Sequence, residues 1–307
     1  MFEKNIGVFN HYLDRFQNDP TKEQSFGIEK PWNEHVKDFD VERLAYNLNE
    51  IGASYYFITL MQGTPHMIAP NETFDKIAGT KKGEACSERD LPMEIFYALE
   101  KYGIELGLYY TGDGPYLDPV IGRKFGFYEP REEMSVNYDF VSRWASVLKE
   151  YSERYAGMVK AWWIDGCYDE FFGYTQELME LLYNAAKAGN KNALVTCNNG
   201  VKDTLYRYYK DEDFTSGEEN DFKIIPESKY TGKSVSHMLI PLGEGIENDE
   251  YSAWGETGCK RGREYMKKYV NEIRRVGAAL TVDIAVFRDG SFAKDQMETL
   301  KYAIKGE

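Results

Sequence analysis

Strand-like and helix-like segments alternate along the whole chain, and that alternation restricts the fold more than any other feature. Residues 6–9 read as a first strand and 40–51 as a helix. The helix carries Val41, Leu44, Leu48 and Ile51 on one face, with Asp40 as its cap. The pattern continues with strands at 54–60, 104–110, 159–164 and 192–197 and helices at 90–102, 138–155 and 176–188. Weaker strand signals at 214–217 and 235–240 precede a helix at 264–276, a strand at 279–284 and a last helix at 293–304. Eight strands alternating with helices predict an α/β fold of the (β/α)8 barrel type. An open doubly wound sheet is the competitor. It is disfavoured because no GxGxxG follows the first strand, where Gly7 lies within the strand itself. With no linker or low-complexity tract in 307 residues, the whole chain, 1–307, is expected to be one barrel domain.

The net charge of −14 argues against nucleic-acid or anionic-membrane partners, which need a basic face. No run of apolar residues is long enough to span a bilayer. Met1-Phe2-Glu3-Lys4-Asn5 has neither a long apolar run nor a small-residue cleavage site, so a cytoplasmic location is expected. Cys86, Cys167, Cys197 and Cys259 are widely spaced and read as free thiols. Without HxH or HxxxH spacing, neither a metal nor another cofactor is expected. Aromatic residues make up 15% of the chain, an excess that fits flat ligands such as sugar rings, although most rings must be core.

In a barrel, chemistry collects where strands end. The segment Ala161-Trp162-Trp163-Ile164-Asp165-Gly166-Cys167-Tyr168 is a short apolar strand that stops at a carboxylate. A charge is disfavoured within a strand, because desolvation is costly, but it suits the crevice at a strand end. Asp165 is therefore the leading candidate nucleophile, flanked by aromatics such as Trp163, although it equally reads as a helix cap. The other strands are followed by Asn10 and His11, by Gln62, Gly63 and His66, and by Tyr109, Tyr110 and Asp113. Beyond these come Asn198 and Asn199, Glu218 and Glu219, Glu244, and Asp283 with Arg288. Two carboxylates on separate strands are the minimum for glycoside hydrolysis. The plain structural readings are a core histidine at His11, a turn at Asn198-Asn199-Gly200 and a solvated acidic loop at 244–250.

These segments resemble the α-L-fucosidases of glycoside hydrolase family 29. The likeness rests on Gly7-Val8-Phe9-Asn10-His11, Arg89-Asp90-Leu91, Gly107-Leu108-Tyr109-Tyr110-Thr111, Trp163-Ile164-Asp165-Gly166-Cys167-Tyr168 and the stretch 282–290. It implies an exo-acting, retaining, metal-free hydrolase that removes a terminal α-L-fucose or similar sugar from an oligosaccharide or glycoconjugate. Asp165 would be the nucleophile, with His11 and Tyr110 lining the sugar pocket. The acid/base equivalent is Glu218, then Glu219, then Glu244. An extended Glu218-Glu219 pair would send only one side chain into the pocket. The family's His-His-Asp-Gly-Phe motif is replaced by Met61-Gln62-Gly63-Thr64-Pro65-His66, so Gln62 would stand in for one histidine donor. The family's C-terminal β-sandwich is not expected, and the barrel surface left open would suit a second copy of the chain. The competing readings are a glycosidase for another sugar and a glycan-binding barrel without turnover.

Overall fold

Side chains alternate between the two faces of each strand, and here both faces are apolar, as in a sheet covered on both sides. Along 159–165, Ala161 and Trp163 join an inner cluster with Phe9, Tyr55, Phe57, Tyr109 and Leu239. Trp162 and Ile164 belong instead to the larger core shared with the helices. The computed structural model describes residues 1–2, 5–13, 31–126, 135–245 and 252–306.

Seven strands form one parallel sheet: β1 (Ile6–Asn10), β2 (Tyr55–Thr59), β3 (Glu105–Thr111), β4 (Val159–Asp165), β5 (Leu194–Cys197), β6 (His237–Pro241) and β7 (Ala279–Asp283). Their spatial order is β5-β4-β3-β2-β1-β7-β6, a half-barrel with helices packed around its outer face. Those helices start where the sequence predicts. Asp40 accepts from the backbone N–H of Glu42 and Arg43 ahead of Val41–Ile51, and Asp90 accepts from Met93 ahead of Leu91–Glu100. The faces they turn inward are the periodic apolar ones, Leu44, Leu48 and Ile51 in the first case.

The interior is filled by rings, and two glycines make room for them. A Cβ on Gly7 would come within 2.0 Å of the Tyr55 ring, and one on Gly107 within 2.4 Å of Phe57. Each aromatic therefore lies across a neighbouring strand that carries no side chain there. Tyr109 stacks on Trp163 at 5.4 Å between centroids and on Phe9 at 5.5 Å.

The strand expected sixth in chain order, 214–217, is not a strand of the sheet. Residues 213–219 run beside β6 through single bridges, Phe214 to Val235 and Glu218 to Leu239. Between the bridges, Gly217 takes φ +61, and a Cβ there would fall 1.9 Å from the His237 carbonyl oxygen, so only glycine fits at this break in the ladder. At its start the segment also meets β5, where the Asp213 N–H donates to Val195 O at 2.9 Å.

Candidate active site

The strands are parallel and nearly in register, so their C-terminal ends open on one side of the sheet. Phe9 of β1 pairs with Asp283 of β7, and Thr111 of β3 with Asp165 of β4. A cavity of about 380 Å³ lies there. His11, Gln62, Asp165 and Glu218 line it, with Phe9, Tyr109, Trp163, Tyr168 and Trp254 as aromatic walls.

Asp165 continues the inward series Ala161, Trp163, Asp165 at period two and is 7% exposed. Four donors converge on it. Oδ2 accepts from Tyr109 Oη at 2.5 Å and from Gln62 Nε2 at 3.4 Å. Oδ1 accepts from Asn198 Nδ2 at 2.8 Å and from Tyr168 Oη at 3.1 Å. This matches the acceptor-only chemistry of an ionised carboxylate. Burial and the adjacent carboxylate push the pKa of both tyrosines well above the usual phenol range, so their hydroxyls stay protonated and donate.

Glu218 sits across the amide of Asn198. The same Nδ2 that reaches Asp165 also donates to Glu218 Oε2, at 2.6 Å. The two acceptor oxygens cannot be further apart than those two bonds laid end to end, about 5.4 Å. Glu218 is pushed up to about 8, first by burial and then by the Asp165 charge, against the Asn198 hydrogen bond and the charge of Lys202. Two carboxyl groups on one cavity are thereby set apart: one accepts four hydrogen bonds, and the other has its affinity for a proton raised by its surroundings.

His11 is 8% exposed, with its Nδ1 3.1 Å from Asp283 Oδ1. A carboxylate only accepts, so Nδ1 carries the hydrogen and Nε2 is the ring nitrogen left for a ligand. The other Asp283 oxygen accepts from the Gly255 N–H at 2.7 Å, which ties the Trp254 loop to the same carboxylate. Gln62 Oε1 and Asn198 Oδ1 are buried with no protein partner, one free acceptor each for a hydroxyl.

The structure thus gathers His11, Gln62, Trp163, Asp165, Asn198 and Glu218, and it separates three other candidates from them. Tyr110 is on the opposite face of β3, stacked on Trp144 and donating to its carbonyl oxygen at 3.2 Å. Its neighbour Tyr109 takes the pocket position, since adjacent strand residues point to opposite faces. Glu219 turns back on its own loop, where Oε1 accepts from Asp221 N at 3.0 Å, and it does not line the cavity. Glu244 is exposed, in a short pairing with Ser252, and residues 246–250 of the acidic run lie outside the described residues. The sequence offers Tyr109 only beside Tyr110 at the end of its strand and Tyr168 only within the Asp165 segment, neither with a role in the pocket, and it does not single out Trp254. Period-two alternation from Gly107 selects Tyr109, and Tyr168 is the aromatic three residues past Asp165. Trp254 is brought in only by the tertiary fold.

No protein-family model matches the sequence, and no curated protein matches it. Solved structures match in fold. An endo-fucoidan hydrolase from glycoside hydrolase family 107 aligns with TM-score 0.74 at 14% identity, over 99% of this chain and 52% of that one. The chain therefore spans about half the length of that enzyme. The α-L-fucosidase AlfC from Lactobacillus casei, in complex with α-L-fucose product, aligns with TM-score 0.64 at 15% identity, over 99% of this chain and 95% of that one. A trapped covalent intermediate of a family 29 α-L-fucosidase from Bacteroides thetaiotaomicron gives TM-score 0.63 at 14% identity, over 99% and 72%. The chain has the barrel-like fold of these fucose-acting glycoside hydrolases.

Proposed function

We propose that this protein is a retaining glycoside hydrolase that removes a terminal α-L-fucose or fucose-like unit. The carrying observation is the pair Asp165 and Glu218 on a single Asn198 amide, with oxygens no more than about 5.4 Å apart. Carboxyl groups roughly 5–5.5 Å apart suit double displacement, whereas inversion needs about 6.5–9.5 Å to admit a water. In the first step Asp165 attacks the anomeric carbon, the glycosidic C–O bond breaks, and the Glu218 proton goes to the leaving oxygen. In the second, water attacks the glycosyl ester, Glu218 takes its proton, and Asp165 leaves as carboxylate.

His11 Nε2, Gln62 and Asn198 Oδ1 would meet sugar hydroxyls, and Trp163 and Trp254 the apolar faces of the ring. Residues 213–219 act in this reading as the eighth stave of a closed barrel, carrying Glu218 to the mouth. The likeness in fold to fucose-acting hydrolases supports the choice of sugar.

Nitrophenol release from a panel of aryl glycosides, led by the α-L-fucoside, tests this reading. Asp165→Ala is expected to cut turnover by roughly three orders of magnitude or more. Equal activity in both proteins would remove Asp165 from the nucleophile role, and no turnover of any glycoside would leave a glycan-binding barrel in place of the enzyme.

A further inference from the structure

Next to the cavity a second hollow of about 490 Å³ opens, and Tyr168 lines both. Its other residues include Asp169, Phe171, Asn199 and Lys202. Phe171 is 46% exposed. It is nevertheless held in place: it packs edge-on against the buried Phe172, 4.9 Å between centroids, and Tyr168 stacks on the other side of Phe172 at 5.7 Å. Asn199 accepts from the Asp169 N–H at 3.1 Å and so fixes the floor.

The hollow adjoins both members of the catalytic pair. Tyr168, which lines it, donates to Asp165 Oδ1 at 3.1 Å, Asn199 directly follows Asn198, which donates to Asp165 and to Glu218, and the positive charge of Lys202 acts on Glu218. In glycosyl transfer the acid delivers its proton to the leaving oxygen, so the unit bonded to that oxygen must lie on the acid's side.

Resting on the glycosidase reading above, we infer that the hollow bounded by Tyr168, Phe171, Asn199 and Lys202 is the leaving-group subsite, and that it takes an uncharged sugar. Phe171 and Tyr168 offer apolar surface to the sugar's C–H face. Asp169 and Glu170 accept hydroxyl hydrogens, and with two carboxylates to one lysine the hollow repels an anionic unit such as a sulfate ester or uronate.

The test compares Phe171→Ala with the parent protein on two substrates. α-L-Fucosyl fluoride has no leaving sugar, and a neutral α-L-fucosyl disaccharide has one. The disaccharide's kcat/KM is expected to fall about tenfold and the fluoride's to change less than about twofold. Equal losses on both, or none on the disaccharide, would overturn the subsite. Binding to Asp165→Asn protein gives a readout without turnover. The disaccharide should bind more tightly than free L-fucose, lose that advantage in the added Phe171→Ala change, and weaken when its leaving sugar carries a sulfate ester. A disaccharide bound no better than fucose, or a sulfated one bound more tightly, would sink the inference. Preserved binding with no hydrolysis of either substrate would instead sink the glycosidase reading and leave the subsite standing.

Discussion

Asp165 and Glu218 differ by one methylene, and their surroundings make them different reagents. Asp165 receives four hydrogen bonds, and Glu218, half-buried beside it with its carboxyl shielded from water, is pushed up to about 8. The proton needed for leaving-group departure is thus present below about pH 8 and lost above it. For a substrate with a poor leaving group, kcat/KM should decline as pH rises through that value. Glu218→Gln should remove this alkaline limb and cost roughly 10²–10⁴ in rate, with little loss on the fluoride, whose departure needs less proton transfer. Azide should restore turnover to Glu218→Ala by attacking the glycosyl ester without base assistance. If Glu219→Gln behaves this way and Glu218→Gln does not, the roles are assigned to the wrong neighbour.

At the scale of elements, Gly217 decides which of the two adjacent glutamates reaches the cavity. Its φ of +61 and its closeness to the His237 carbonyl, 1.9 Å from where a Cβ would stand, break the pairing with β6 between Phe214 and Glu218. Gly217→Ala should cost at least about 1–3 kcal/mol and displace Glu218. Its kcat on a poor leaving group should then fall much further than its stability loss explains. Gly107→Ala is the contrasting case, because its clash is with the Phe57 ring in the sheet interior. That change should lower the melting temperature, while the surviving folded protein keeps its pH profile. Denaturant unfolding and a pH–rate profile on both variants separate the two effects.

Across the whole molecule, His237 is an imidazole buried in the half-barrel interior that does not line the catalytic cavity. His237 Nδ1 faces the carbonyl oxygens of Thr215 and Ser216, so it carries the hydrogen, and Nε2 accepts from Thr281 Oγ1 at 2.7 Å. Burial lowers this group to about 4. The unfolded chain takes up its proton near pH 6.5 and the folded protein does not, so stability falls as pH drops from about 6.5 towards 4. The loss from this group is about 3 kcal/mol. Urea unfolding of His237→Gln against the parent protein at several pH values should show about one proton fewer taken up on unfolding. An unchanged slope would rule His237 out. Glu218 acts in the opposite sense: its folded-state value is raised, so its contribution is lost as pH climbs from about 4.5 to 8.

Legible from residue order alone are the alternation of elements, the helix caps at Asp40 and Asp90, and the place of Asp165 at the end of an apolar strand. These are local matters, set by side-chain period and by backbone donors within three residues of a cap. Residue order also brought His11, Gln62, Trp163, Asn198 and Glu218 to notice, because polar residues just past strands share one end of a parallel sheet. Only the tertiary structure decided between Tyr109 and Tyr110 and between Glu218 and Glu219. A shift of one residue reverses the face a side chain shows, and the Gly217 conformation that sets the second choice depends on contact with β6. The tertiary structure likewise joined Asp165 to Glu218 through Asn198 and brought Trp254 to His11, at 5.4 Å between ring centroids. Those contacts link residues tens to hundreds of positions apart, where no local periodicity carries a signal.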